Sequence, residues 1–316
     1  MLVLIPLWAL AGEDHAAAPA SGLEWLAGMR KAASTLTYQG VVAYIKDQQV
    51  DSFKLYHQVR DGHEQERLVA MNSPYREVVR TDGNLARYTG ENQRVVVETK
   101  PASQSVLINL PEDSATLERL YRVHLRGREY VAGALTQVVA LEPKDGYRYS
   151  RLLWIDTETC LPLKLDVLNE DGQSVEQMVF TTIDTRNPIA PEDLQPSSRT
   201  QSAVTQVSHR EARPLESLNW SLRRVPEGFQ IVSYSLFMRP PANQPIEHVL
   251  LSDGFSTVSV YIEKRGNPVN AGAYRLGAVN VETAALSDHV VTVMGEVPAK
   301  TVGLIASGIQ PKAPAP

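Results

Sequence analysis

The sequence predicts an α+β protein of two domains: a large N-terminal antiparallel sheet with helices laid against it, then a small mixed α/β domain. Three observations carry this. A chain of 316 residues exceeds the size at which single cores usually stop growing. Between residues 40 and 183, short runs of β-type residues are set off by turn pairs such as Asp61-Gly62, Asp82-Gly83, Asp145-Gly146 and Asp171-Gly172. A stretch rich in Pro, Ser, Thr and Gln then separates these runs from a second strand-rich region.

Residues 1–20 read as a secretory signal, with an apolar run from Leu2 to Ala11 followed by small residues, although no Lys or Arg precedes the run. The run is too short to span a bilayer. Ser21 and Glu24 have capping-box spacing, and Leu23, Leu26, Ala27, Met29, Ala33 and Leu36 recur at near-helical intervals, so a helix should run from Ser21 and end before Gly40. Strands follow at 40–46, 52–60, 65–71, 76–81, 85–89 and 94–99, joined by turns short enough to make neighbours antiparallel. "PEDSATLERLY" at 111–121 reads as a short helix with Leu117, Leu120 and Tyr121 on its apolar side. Further strands are expected at 121–126, 136–142, 147–155, 162–168 and 175–183, completing a sheet domain over 21–185.

Residues 186–217 carry Pro188, Pro191, Pro196 and Pro214 among polar residues and read as a linker. The strand pattern returns in "WSLRRVPEGFQIVSYSLFM", "IEHVLLSDGFSTVSVYIEK", "AVNVETAAL" and "HVVTVMGEV". Pro298 then opens an apolar helix through Ile309, which bounds the small domain at about 218–310.

Composition limits the function classes. A net charge of −5 argues against nucleic-acid binding, which relies on clustered Lys and Arg. Cys160 is the only cysteine, so an intramolecular disulfide is excluded, and its place in "WIDTETCLPLK" suits a small turn or core residue better than a nucleophile. The seven histidines are scattered; His57 and His63, even with Glu64 and Glu66 nearby, lack the spacing that puts metal ligands on one face. No phosphate loop, GxSxG elbow or HExxH is present, and pairs such as Glu112-Asp113 and Glu170-Asp171 sit in turns. No catalytic residue, metal or cofactor is assigned.

Binding is the remaining function. In 52–59, Phe53, Leu55 and Val59 share a face with His57; in 147–155, Tyr147, Tyr149, Leu153 and Ile155 share one with Arg151; in 162–168, Leu163, Leu165 and Val167 alternate with Lys164 and Asp166. Strands 94–99 and 147–155 are apolar on both faces, and such a sheet is either covered twice or curved around a hollow. A hollow of this kind suits acyl chains, each buried methylene contributing roughly 0.8 kcal/mol. Phe53, Leu55, Tyr147, Tyr149, Leu153 and Leu165 are the candidate lining, and exposed strands around Phe255, Val258 and Tyr261 are the candidate partner surface.

"YQGVVAYIKDQQVDSFKLYHQVRDGHEQERL" with "SPYREVVRTDG", then "YRYSRLLWIDTETCLPLKLDVLNEDGQSVEQMVFTTID", then "WSLRRVPEGFQIVSYSLF", "LLSDGFSTVSVYIE" and "VVTVMGEVP" resemble, in order, the RseB/MucB family of periplasmic sigma-E regulators. The resemblance implies a large domain similar to the lipoprotein carriers LolA and LolB, an unclosed β-barrel crossed by helices. It also implies a periplasmic role: binding the periplasmic domain of a membrane-spanning anti-sigma factor and shielding it from proteolysis, with lipid or lipopolysaccharide fragments releasing the shield. A lipoprotein or lipid carrier using the same hollow is the alternative, and self-association stays open.

Overall fold

The computed structural model describes residues 21–72, 76–82, 84–89, 94–99, 114–197, 204–207, 211–238, 244–266 and 271–312. The signal-like segment 1–20 lies outside them. Helix α1 (Gly22–Thr35) starts where the capping box predicts: Ser21 Oγ accepts from the Glu24 amide and Glu24 Oε2 from the Ser21 amide, both at 3.2 Å. Its buried stripe is Trp25, Leu26, Met29 and Ala32, rotated from the expected one so that Ala27 is exposed. The large Trp25 ring sets the facing side, and α1 packs on the sheet through it.

Among the described residues that sheet has twelve strands. β1 (Tyr38–Lys46), β2 (Gln49–Arg60), β3 (His63–Ala70), β4 (Arg76–Thr81), β5 (Asn84–Thr89) and β6 (Arg94–Thr99) form one antiparallel meander. After α2 (Ser114–Leu120) the chain enters a second meander: β7 (Tyr121–Val131), β8 (Ala134–Pro143), β9 (Ser150–Asp156), β10 (Pro162–Leu168) and β11 (Ser174–Asp184). β11 returns beside β1, joining the two meanders into one open sheet. Its hairpins twist through turns with both central residues at positive φ, Asp47-Gln48, Asp61-Gly62 and Ala132-Gly133. β7 and β8 run longer than expected because Ala132-Gly133 lets them meet in a tight turn.

The sheet bends. β1 is bulged at Val41/Val42, and Gly40 beside the bulge is irreplaceable, since a Cβ there would lie 2.2 Å from the Thr182 carbonyl oxygen. Further register shifts in β10 add curvature. On the concave face, α1 packs through Trp25, Leu26 and Met29 against Val139, Leu141, Leu153 and Ile155.

The segment with linker composition is partly ordered. A 3-10 turn (Pro191–Leu194) covers the convex face, Ile189 and Leu194 packing on Tyr56 while the Tyr56 hydroxyl donates to Asp193 at 2.8 Å. β12 (Val204–Val207) adds in parallel to β6, and β13 (Glu211–Ala212) pairs with a strand of the second sheet. The chain thus passes from the edge of one sheet to the edge of the other.

The small domain has β14 (Trp220–Leu222), β15 (Gln230–Met238), β16 (Pro245–Ser252), β17 (Thr257–Lys264), β18 (Gly272–Leu276), β19 (Val279–Leu286) and β20 (His289–Gly295). Helix α3 (Ala299–Ser307), preceded by Pro298, packs on β19 and β20, and β21 (Ile309–Pro311) pairs with β14. Its core includes Val249, Val258, Val260, Ile262, Val293 and Ile305, all 1% exposed or less. No helix among the described residues is long and apolar enough to cross a membrane.

Candidate functional site

The two domains meet through buried polar contacts. Arg148, fully buried in the loop before β9, donates from Nε to Asp253 Oδ2 at 2.5 Å, from Nη1 to Asp145 Oδ2 at 2.5 Å and from Nη2 to the Glu227 carbonyl at 2.5 Å. Asp253 Oδ2 also accepts from the Tyr121 hydroxyl at 3.3 Å, and its Oδ1 from the amides of Phe255 and Ser256. Burial, with Asp253 next, pushes the Tyr121 phenol up to about 12. Asn280 donates to the Tyr149 hydroxyl at 2.8 Å, and the Thr301 hydroxyl to the Tyr147 carbonyl at 2.8 Å. The Asp253 loop thereby inserts Phe255 into the large domain's core, against Tyr121.

Beside this contact, a cavity of about 560 Å³ lies between the uncovered part of the concave face and the small domain. Val42, Tyr44, Phe53, Leu165, Val167 and Met178 make an apolar floor. They fall on one face because register aligns them: Phe53 opposite Val42, Tyr44 opposite Met178, Met178 opposite Leu165. The small domain closes the cavity with the outer face of β17, whose Thr257, Ser259 and Tyr261 point to it while Val258, Val260 and Ile262 point to the core. Charged Arg151, Glu176 and Glu296 share the lining.

Elsewhere on the same concave face the charges are paired. His57, fully buried, has Nδ1 2.8 Å from the Leu36 carbonyl and Nε2 2.9 Å from Glu64 Oε1, and stacks on Tyr38 at 4.7 Å. Arg80 donates to Glu66 Oε2 at 3.0 Å and to both oxygens of Glu64. Burial alone would raise Glu64, but hydrogen bonds from His57 and Arg80 outweigh it and hold the carboxyl at about 2. His63 stands apart, on Asp82 at 2.9 Å, and no group of three His, Cys, Asp or Glu among the described residues could hold a metal.

The structure divides the sequence-predicted residues. Phe53 and Leu165 line the cavity. Leu55 and Leu153 are fully buried in packed cores and do not line this cavity. Tyr147 and Tyr149 precede β9 instead of belonging to it, because Arg148 between them is pinned at the domain contact, and both contact the small domain. The expectation of an exposed partner surface is corrected: Val258 is core, Phe255 is spent on the domain contact, and Tyr261 faces the cavity, stacked on His248 at 4.6 Å. The exposed apolar residues of this domain include Tyr274 and Leu276, on the edge strand β18. Cys160 sits in the turn before β10 with positive φ, and burial, with Asp156 next, raises its thiol, the reverse of what a nucleophile needs.

Family models for the MucB/RseB N-terminal domain and the MucB/RseB C-terminal domain match residues 21–198 and 214–310. The sigma factor AlgU regulatory protein MucB of Pseudomonas aeruginosa is 30% identical over 304 residues, covering 94% of this chain and 93% of that protein. The sigma-E factor regulatory protein RseB of Escherichia coli is 28% identical over 306 residues, covering 94% and 92%. A crystal structure of MucB in complex with MucA(peri) superposes with a TM-score of 0.75 at 29% identity, covering 92% of this chain and 99% of that one.

Proposed function

The chain belongs to the MucB/RseB family, and from that premise we propose that it is a periplasmic negative regulator of an envelope-stress sigma factor. It binds the periplasmic domain of a membrane-spanning anti-sigma factor and shields it from regulated proteolysis; a lipid or lipopolysaccharide fragment releases it. The support for partner binding is the likeness, along nearly the whole chain, to MucB in its complex with MucA(peri).

The observation that carries the lipid step is the cavity's position. Its floor is large domain and its cover small domain, so an acyl chain inside touches both. A ligand shifts a binding equilibrium only as far as its affinities for the two states differ, and a site shared by two domains is where such a difference arises. A tenfold release needs about 1.4 kcal/mol of difference. Phe53, Leu165 and Tyr261 are the proposed ligand contacts, and β18, the edge strand among the described residues, with Tyr274 and Leu276, is the proposed partner-facing strand.

The test is a titration of the protein against the periplasmic segment of its anti-sigma factor, with and without lipopolysaccharide fragments. Tight binding that the lipid weakens is expected. Lipid binding with no affinity for the segment would overturn the regulator in favour of a lipid carrier.

A further inference from the structure

The apolar floor accounts for acyl chains but not for the charges among them. Arg151 rises from β9 into the cavity and is 4% exposed. Its Nη1 donates to Ser256 Oγ at 3.3 Å and its guanidinium lies 4.3 Å from the centroid of the Phe255 ring. Among the described residues no carboxylate forms an ion pair with it, whereas the buried Arg67, Arg80 and Arg148 each have one. A buried guanidinium with its remaining donors facing a cavity is a site for an anion with paired oxygens.

Two carboxylates share the lining with Arg151. Glu176 projects from β11 and hydrogen-bonds through its carboxyl with the Tyr44 hydroxyl, while its buried Oε2 has no hydrogen-bond partner among the described residues; Glu296 comes from the small domain. Burial raises the Glu176 carboxyl, Glu296 adds to it, and Tyr44, Lys46 and Arg151 act in the opposite sense. Register orders the charges: Arg151 is opposite Val167 and Val167 opposite Glu176, so arginine and glutamate share one cross-strand row, two strand spacings or about 10 Å apart.

We propose that the cavity binds the phosphoethanolamine headgroup of a lipid, with the phosphate on Arg151 and the ammonium between Glu176 and Glu296. This rests on the lipid reading above and adds the headgroup class to it. The phosphate supplies the oxygens Arg151 lacks, and a primary ammonium has three N–H donors for the two carboxylates. A phosphoglycerol headgroup would satisfy Arg151 and leave the carboxylates facing each other. An N-acylated amine would lose its charge.

The experiment measures binding of the full chain to vesicles containing phosphatidylethanolamine, phosphatidylglycerol or N-acetylated phosphatidylethanolamine, and competition by soluble O-phosphoethanolamine. Phosphatidylethanolamine is expected to bind at least about tenfold more tightly than either other lipid. Glu296→Gln should remove most of that preference while leaving phosphatidylglycerol binding unchanged, and Arg151→Gln should weaken both phospholipids in protein whose circular dichroism is native. Equal binding of the three lipids overturns the headgroup assignment while the lipid reading survives. No binding of any acyl lipid overturns both. Competition by O-phosphoethanolamine at the concentration of the lipid itself overturns the lipid source in favour of a free phosphoamine.

Discussion

Two stretches of one concave sheet face carry apolar residues interrupted by charges, and they end differently. Under and beside α1 the face is filled: Leu153 and Ile155 meet Trp25 and Met29, and the charges His57, Glu64, Glu66 and Arg80 engage one another. Toward the small domain the same face opens on a cavity, where Arg151, Glu176 and Glu296 are left with no ion pair among the described residues. Charges that satisfy each other stabilise a fold. Charges held apart in a cavity favour whatever ligand carries the complementary pair.

The comparison breaks most visibly at Leu153. Leu153→Asp would place a carboxylate in the packed apolar cluster of α1, β8 and β9, costing about 4 kcal/mol or more and leaving the large domain unfolded at 25 °C. Its register partner Leu165 borders the cavity. Leu165→Asp should keep native far-UV circular dichroism and a cooperative urea transition while losing lipid binding. Equal loss of structure in both variants would mean that the two stretches are one dry core.

The next effect is at Arg80. Arg80→Met strands Glu64 and Glu66 without their cation and should cost about 3 kcal/mol in urea unfolding. The pH dependence has a definite sign. Because Glu64 is held at about 2 in the folded protein against an ordinary 4.5, its contribution is complete above 4.5 and is lost as the pH falls toward 2. Wild-type stability should therefore fall through that window, and Arg80→Met should flatten the fall. An unchanged slope would remove Glu64 from the network.

What the sequence carried legibly was local. The α1 capping box, the Asp61-Gly62 turn and strand alternation all act within a few residues, and the structure has them where periodicity and turn chemistry put them. Ala132-Gly133 was not legible, because alanine is not a residue that favours positive φ. Pairing of β1 with β11 and the closing of a cavity by a second domain depend on contacts more than a hundred residues apart, which no local pattern records. Alternation also separates Val258 from Tyr261, one to the core and one to the cavity, so the two cannot form one surface on a strand of period two. Glu176 and Glu296 carried no signal alone; only the fold brings them to one cavity with Arg151.

The smallest effect separates the two stretches most sharply, since its sign is opposite. Glu176 is raised above its ordinary value by burial and by Glu296, so its ionised form costs folding stability at neutral pH, and that cost is relieved as the pH falls through its raised value. Lys46, Arg151 and the Tyr44 hydroxyl oppose the effect without cancelling it. Glu176→Gln removes the charge while keeping the shape, and should leave the protein unchanged or more stable by about 0.5 kcal/mol at pH 7. Above pH 4.5 the wild type should gain on the variant as acid is added, while the Glu64 network is still intact. If Glu176→Gln instead destabilises as Arg80→Met does, the carboxylate has a cation in the free protein and the cavity charges are as closed as those beside α1. A gain that vanishes when phosphatidylethanolamine is added would tie the uncompensated charge directly to the ligand that compensates it.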